Sequence, residues 1–354
     1  MENLEFIILK QKYKNFKNMS NFKIQGRQMK EFYMNLALNE AWKYQFLTYP
    51  NPAVGCVILD KNGKILAIKA HEKAGLAHAE LNAITHAFKS LRPEISLPKE
   101  ANALHEFICK NHQGVFKDSI AFVTLEPCSH QGKTPPCAKL FSELGFKKIF
   151  ISVKDGNKIA SGGAEFLKKQ GIEVEFDILK EEGKKLLKPF LKWQKGQFKL
   201  FKLALSMNGS PFGKIVSNEL SRTYAHKIRA VIDLLVVGGE TIRKDHPILD
   251  ARLCKAKAPN LCILSRQNID NFDKNIPLFK VPNRQIYTQI PSEAKFLMYE
   301  GGENFLKTFK DGIDMFLIFQ SSSLNDEKNV TIPLNFKPLY RNFLGSDTYG
   351  IYEL

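Results

Sequence analysis

The sequence predicts an α/β protein in two domains, each a sheet with helices packed on both faces. Three observations carry this expectation. The chain has 354 residues, enough for two domains at roughly 100–200 residues each. Strand-length apolar runs alternate with amphipathic helical stretches instead of clustering by type. The alternation restarts after a Lys- and Glu-rich stretch near residue 180. A composition of 44% hydrophobic and 25% charged residues is that of a globular chain, and either half is long enough to bury its own core.

In chain order, residues 1–28 read as a Lys- and Asn-rich tail, with Met29 a candidate start just ahead of the first clear helix. Helix 31–45 sets Phe32, Met34, Leu36, Leu38 and Trp42 among polar residues. Strand 53–59 turns at Asn62-Gly63 into a return strand 65–68, a hairpin signal. Helix 78–91 places Leu81, Ile84, Phe88 and Leu91 at helical spacing. Residues 92–118 read as an insertion without assigned structure. Strand 120–125 runs into a Cys- and Pro-rich loop, followed by helix 136–144, strand 148–153, helix 163–170 and strand 172–176. A linker helix is expected over 177–197. The second half then gives strand 198–205, helix 219–230, strands at 233–237, 261–264 and 295–299, helix 303–310 and strand 313–319. The expected division is a tail 1–28, a first domain 29–176, a linker 177–197 and a second domain 198–354. No internal repeat or low-complexity tract is present.

The charge balance of 52 Lys+Arg against 36 Asp+Glu, a net +16, favours anionic partners such as phosphorylated metabolites or dinucleotides. The charge is dispersed along the chain, which argues against nucleic acid as the partner. Six cysteines in a chain of this length are too sparse for a disulfide framework. No apolar run approaches the ~18 residues of a membrane span, and the N-terminus lacks the features of a signal peptide. The expected setting is the cytoplasm, with no membrane partner and a homo-oligomeric state.

Two short motifs carry the chemistry. His78-Ala79-Glu80 opens a helix, and Pro127-Cys128 is followed after eight residues by Cys137. Two thiolates and one imidazole hold a zinc ion with one position open to water, the mark of a catalytic site. Zinc lowers the pKa of such a water to about 7. In mid-helix, residues two apart point ~200° away from each other. At a helix start the first of them is not yet helical, so His78 and Glu80 can share a pocket, and Glu80 can move protons between water and a leaving amine. Cys137 follows Pro135-Pro136 at a helix start, where the helix dipole favours a thiolate. A structural zinc site remains an alternative, with His130 as fourth ligand on spacing alone. Cys56, Cys109, Cys254 and Cys262 read as packing residues, and His86, His105, His112 and His226 as solvated or capping ones.

These residues resemble the cytidine-deaminase-like zinc hydrolases. The match is closer to one family. Asn51-Pro52-Ala53-Val54-Gly55, Ala77-His78-Ala79-Glu80 and the run from Thr124 to Cys137, with its Ser129-His130-Gln131-Gly132-Lys133-Thr134-Pro135-Pro136 insert, resemble the bifunctional deaminase–reductases of riboflavin biosynthesis. Cytidine and tRNA adenosine deaminases have a shorter Pro-Cys-x-x-Cys gap. The resemblance implies a three-layer α/β/α deaminase domain acting on a phosphoribosylated diaminopyrimidinone, with one catalytic zinc ion held by His78, Cys128 and Cys137, Glu80 as the catalytic acid–base, and Asn51, His71 and Lys133 on the substrate. Asp155-Gly156-Asn157-Lys158 departs from the family's Asp-Pro-Asn-Pro, which leaves that loop's role open.

The second half resembles the same family through Lys202–Gly209, the stretch from Val236 to Ile242, Asp245-His246-Pro247 and Glu300-Gly301-Gly302. This implies a dihydrofolate-reductase-like α/β domain that uses NADPH to reduce ribose to ribitol. The residues implied for substrate are Lys202, Ser217, Arg229, Leu249, Arg252 and Glu300. Those implied for the cofactor are Ala204, Glu219, Thr241, Asp245, Ser265, Gly301 and Gly302. No G-x-G-x-x-G motif is present, so a Rossmann domain is not expected. Asn208 stands where the family has Asp, Glu219 where it has an aromatic, the stretch between Gly209 and Ser217 is compressed, and residues 320–354 do not follow the family's ending. An active deaminase with a degraded reductase, and a nucleic-acid deaminase, are the alternatives.

Overall fold

The computed structural model describes residues 26–130, 135–156, 162–213 and 216–354. They form two compact units. The first is built on a five-stranded sheet. Helix α1 (Arg27–Trp42) is followed by β1 (Gly55–Leu59), β2 (Ile65–Ala70), α2 (Ala79–Leu91), α3 (Ala101–Asn111), β3 (Ile120–Leu125), α4 (Cys137–Glu143), β4 (Lys148–Val153), α5 (Gly163–Lys169) and β5 (Glu173–Glu175). The strand order is β2-β1-β3-β4-β5, antiparallel between β1 and β3 and parallel from β3 to β5.

Strands β1 and β3 are apolar along nearly their whole length because both of their faces are covered. Cys56, Val57, Ile58, Ala121, Phe122 and Val123 are all fully buried. Gly55 is required by packing: a Cβ there would lie 1.9 Å from the Ala37 carbonyl oxygen on α1. Its N–H donates to Thr124 Oγ1 at 3.0 Å, which couples the start of β1, where the Asn51–Gly55 motif ends, to the end of β3, which leads toward Cys128. Met29 lies inside α1 rather than ahead of it.

The insertion holds α3, a helix not anticipated from sequence. Its N-cap Glu100 accepts from the Asn102 and Ala103 N–H groups, and Leu104, His105 and Ile108 turn inward. His105 is therefore a buried core residue, not a solvated one.

After α6 (Lys180–Lys195), which covers most of the expected linker, the second unit has an eight-stranded sheet. Its elements are β6 (Phe198–Leu205), α7 (Glu219–Arg229), β7 (Leu234–Gly238), α8 (Gly239–Asp245), β8 (Asn260–Leu264), β9 (Ile286–Tyr287), β10 (Phe296–Glu300), α9 (Glu303–Phe309), β11 (Met315–Gln320), β12 (Lys337–Leu344) and β13 (Asp347–Glu353). The order is β12-β13-β11-β6-β10-β7-β8-β9. The run from β11 to β9 is parallel, and β12 and β13 add an antiparallel hairpin. The stretch 320–354 thus ends the sheet as two further strands. Asp347, buried at the start of β13, accepts from Asn218 N and Ser221 Oγ, both at 2.8 Å, and so pins the N-terminus of α7.

The topology fixes where a ligand would lie. The connection leaving β6 runs over β10 to β7, whereas the one leaving β10 runs back over β6 to β11. Connections of opposite direction lie on opposite faces of a parallel sheet when both are right-handed; adjacent strands whose connections pass to opposite faces make a switch point, and ligands of open parallel sheets bind at the carboxyl ends of such strands.

Candidate metal centre and nucleotide crevice

His78 immediately precedes the first helical residue of α2, and Glu80 is the second residue of that helix. The turn into the helix thereby puts both side chains at one place. A ring nitrogen of His78 and the sulfurs of Cys128 and Cys137 lie within 4.8 Å of one another. Tetrahedral zinc with bonds of about 2.0–2.3 Å spaces its ligands roughly 3.5–3.8 Å apart, so a settling of about an ångström closes the set around an ion. Among the described residues no other His, Cys, Asp or Glu joins this cluster. His130 is exposed and outside it. The donor set is therefore two sulfurs and an imidazole, which fits zinc with a fourth position for a small molecule.

The surroundings favour bound thiolates once a dication is present. Cys137 is the first residue of α4, and its backbone N–H donates to Cys128 Sγ at 3.4 Å. A hydrogen bond with Cys128, burial and the charge of nearby Glu80 together hold the Cys137 thiol well above its ordinary range. A buried thiol set against a second, half-buried sulfur and a carboxylate ionises only when a cation compensates it. Glu80 is buried and lies within hydrogen-bonding reach of Cys137.

Asn51 and His71 meet each other. Asn51 Nδ2 lies 3.1 Å from His71 Nε2, and His71 Nδ1 lies 3.0 Å from the Ala77 carbonyl oxygen. A carbonyl only accepts, so Nδ1 carries the proton and Nε2 accepts from the Asn51 amide. Burial lowers the His71 pKa, in keeping with this neutral tautomer. The ring packs edge-on to His78 at 5.7 Å between centroids. His71 is thus buried, bracing Asn51 and His78, while the Asn51 carbonyl oxygen is the acceptor that the pair has to offer. Lys133 lies outside the described residues.

Sequence reasoning missed Glu126, which precedes Pro127-Cys128 and is buried. Its carboxylate accepts from Asp155 N at 3.2 Å, Gly162 N at 3.2 Å and Ala164 N at 3.1 Å. Gly163 beside it admits no side chain, since a Cβ would lie 1.9 Å from the Pro127 carbonyl oxygen. Glu126 and Gly163 therefore fix the strand that delivers Cys128. Glu126→Gln sets an amide N–H₂ against one of these donors, and we expect it to destabilise the zinc-loaded protein by about 1–3 kcal/mol. Chemical denaturation measures this, and an unchanged midpoint would show that the carboxylate is dispensable.

In the second unit, the cofactor residues implied by resemblance cluster at the carboxyl ends of parallel strands: Ala204 on β6, Thr241 and Asp245 on α8 after β7, Ser265 after β8, and Gly301 and Gly302 after β10. A Cβ at Gly302 would meet nothing within 4 Å, so backbone there is open to a close-lying group. Ser217 and Glu219 flank Asn218, the N-cap of α7. Lys202 and Glu300 are register partners across the β6/β10 switch point, 3.7 Å apart.

Arg229 is turned inward. Its Nε and Nη2 donate to the two Glu300 oxygens at 2.8 and 2.7 Å, and its Nη1 to the Asp250 carbonyl at 3.2 Å. That guanidinium is committed to protein groups, whereas Arg252, paired with Asp250 Oδ1 at 2.7 Å, is largely exposed. Arg284, also missed from sequence, donates to the backbone carbonyls of Pro259, Ile248 and Leu249. It holds the 248–252 loop, in which Leu249 has a left-handed φ of 55°.

Burial would raise the Glu300 pKa, but the Arg229 and Lys202 charges outweigh it and bring it to about 2. Burial, helped by Arg229, lowers buried His226 to about 4. The unfolded chain therefore holds more protons than the folded one, through His226 between pH 6.5 and 4 and through Glu300 between pH 4.5 and 2. Stability must rise with pH across both windows. The Glu300 share is about 3 kcal/mol, fully present above pH ~4.5 and lost as pH falls toward ~2. Urea melts at a series of pH values measure this; a Glu300→Gln variant should flatten the profile below pH ~4.5, and an equally steep one would refute the assignment.

The family model for the "cytidine and deoxycytidylate deaminase zinc-binding region" matches residues 27–153. The chain is 36% identical over 245 residues to the riboflavin biosynthesis protein RibD of Bacillus amyloliquefaciens, covering 67% of this chain and 59% of that one. It is 30% identical over 247 residues to the RibD of Escherichia coli K12, covering 68% and 60%. The chain thus spans about three-fifths of the length of these curated relatives. A Thermotoga maritima diaminohydroxyphosphoribosylaminopyrimidine deaminase/5-amino-6-(5-phosphoribosylamino)uracil reductase superposes with a TM-score of 0.60 at 26% identity, over 92% of this chain and 99% of that one. Acinetobacter baumannii RibD gives 0.60 at 23% identity over 93% and 99%, a likeness of fold. The fold is accordingly a cytidine-deaminase-like unit followed by a reductase-like α/β unit. No helix among the described residues is long and apolar enough to cross a membrane.

Proposed function

We propose, from its similarity to the RibD riboflavin-biosynthesis proteins, that the chain deaminates 2,5-diamino-6-(5-phosphoribosylamino)pyrimidin-4-one and then reduces the ribosyl group of the product to ribityl with NADPH. The observation that carries the first half is the meeting of His78, Cys128 and Cys137 with a buried Glu80 beside Cys137. Zinc, when bound, lowers the pKa of a water to about 7 and readies it for attack on the amidine carbon. Glu80 takes the proton from that water and returns it to the departing amine, so that ammonia leaves neutral. Asn51, braced by His71, orients the ring through its amide carbonyl.

For the second half, support comes from the implied cofactor residues following the carboxyl ends of parallel strands, the side of an open α/β sheet on which ligands bind. NADPH, when bound, supplies the hydride. Lys202, within β6 and opposite Glu300 at the end of β10, offers an ammonium beside the ribosyl group, while Arg229 holds Glu300 ionised next to it. The exposed Arg252 is the arginine available to the substrate phosphate.

Two assays on the purified full chain test the proposal: ammonia release from the diaminopyrimidinone ribotide, and NADPH oxidation with the deaminated ribotide. Both should proceed. Ammonia release without NADPH oxidation would reduce the second unit to a degraded reductase, and failure of ammonia release from zinc-loaded protein would overturn the proposal.

A further inference from the structure

Two stretches far apart in sequence are tied together at the carboxyl end of β6. The first is the turn 206–213. The second is segment 321–331, which leaves β11. Met207 N donates to Ser323 O at 2.8 Å, Ser210 Oγ to Lys328 O at 3.0 Å, and Val330 N to Gly209 O at 3.0 Å. Farther on, Thr331 donates through its N–H and hydroxyl to Glu303 Oε1, at 3.0 and 2.7 Å. Glu303 directly follows Gly302, at the end of β10. The segment is therefore pinned beyond the carboxyl end of β6 and again at Glu303, the first residue of α9, which follows β10. Next to Glu303, the space that a Cβ would take at Gly302 is open.

At the centre of these ties is Asn208. Its Nδ2 donates to Asn325 O at 3.0 Å and to Asn329 Oδ1 at 2.9 Å, while its Oδ1 accepts from Ser206 Oγ at 2.9 Å and Asn325 N at 3.1 Å. A main-chain carbonyl only accepts and a main-chain N–H only donates, so the two Asn325 contacts fix which end of the amide is which. A carboxylate could serve Ser206 and Asn325 N, and Asn329 could turn its amide to donate to it, but it would face Asn325 O with no proton to give.

We propose that Asn208 is a positioning residue for the reductase reaction: its amide latches segment 323–331 as one wall of the nucleotide crevice. The proposal rests on the NADPH reading above. Its test compares Asn208→Asp, Asn329→Asp and the double variant in the full-length protein by two readouts. One is hydrogen exchange of segment 323–331 without nucleotide; the other is the KM for NADPH against kcat.

Asn329→Asp keeps an acceptor for the Asn208 amide and should behave as the parent. Asn208→Asp should speed exchange across 323–331 and raise the KM for NADPH about tenfold, with kcat changed less than about twofold. The double variant, with two carboxylates facing each other, should be worse on both readouts. Unchanged exchange in Asn208→Asp would show that Asn208 is no latch. Faster exchange with an unchanged or lowered KM would show that the segment is no wall of the site. If the parent neither binds nor oxidises NADPH, the reductase reading and the positioning role fall together, while the exchange data still decide the latch.

Discussion

Glu80→Gln is expected to slow ammonia release about a thousandfold while leaving zinc bound. The substitution is isosteric, and Glu80 is not among the residues whose donor atoms converge, so the ion should stay. What is lost is the ability to accept a proton and pass it on. Glu80 is suited to that work because it is buried, lies at the first turn of α2 and reaches toward Cys137. Steady-state ammonia release with zinc content measured on the same samples decides the matter. Full activity would remove Glu80 from the mechanism, and loss of zinc along with activity would make it a structural residue.

The second large effect concerns the sulfurs. Cys128→Ser or Cys137→Ser should leave less than ~0.1 zinc per chain after purification and abolish ammonia release, because a hydroxyl is a far poorer zinc ligand than a thiolate. NADPH oxidation on deaminated substrate should continue, since the reductase residues belong to a different sheet. Removing zinc from the parent with a chelator should give the same pattern, reversed on adding zinc back. Ammonia release that survives either treatment would end the metal proposal.

The elements most legible in the sequence were the buried strands. Strands β3, β4 and β6 have the bounds expected from their short apolar, β-branched or aromatic runs between turn residues. Where the pattern was weak, so was the reading. Helix α8 spans seven residues, of which only Gly239 and Ile242 are buried, too short for a periodicity to show. Helix α3 turns a histidine inward beside Leu104 and Ile108, which blurs its apolar face. Strand β12 carries Pro338, which is tolerated because β12 lies at the sheet edge but argues against a strand when seen alone.

The site divides in the same way. His78, Glu80, Cys128 and Cys137 sit in two short motifs whose spacing reports their chemistry directly. Glu126, Asp250, Arg284 and the Asn325–Asn329 pair act through contacts with backbone or side chains distant in sequence, and nothing local announces them. Arg229 illustrates the converse. The resemblance puts it among the residues implied for the substrate, and only the fold shows its Nε and Nη2 turned onto Glu300.

X-ray absorption at the zinc edge of the purified protein tests the central claim most directly. Two sulfurs at about 2.3 Å and two lighter atoms at about 2.0 Å, one of them exchanged when a substrate analogue binds, are the predicted shell. A shell of four protein ligands that no analogue perturbs, or a spectrum lacking two sulfurs, would contradict it.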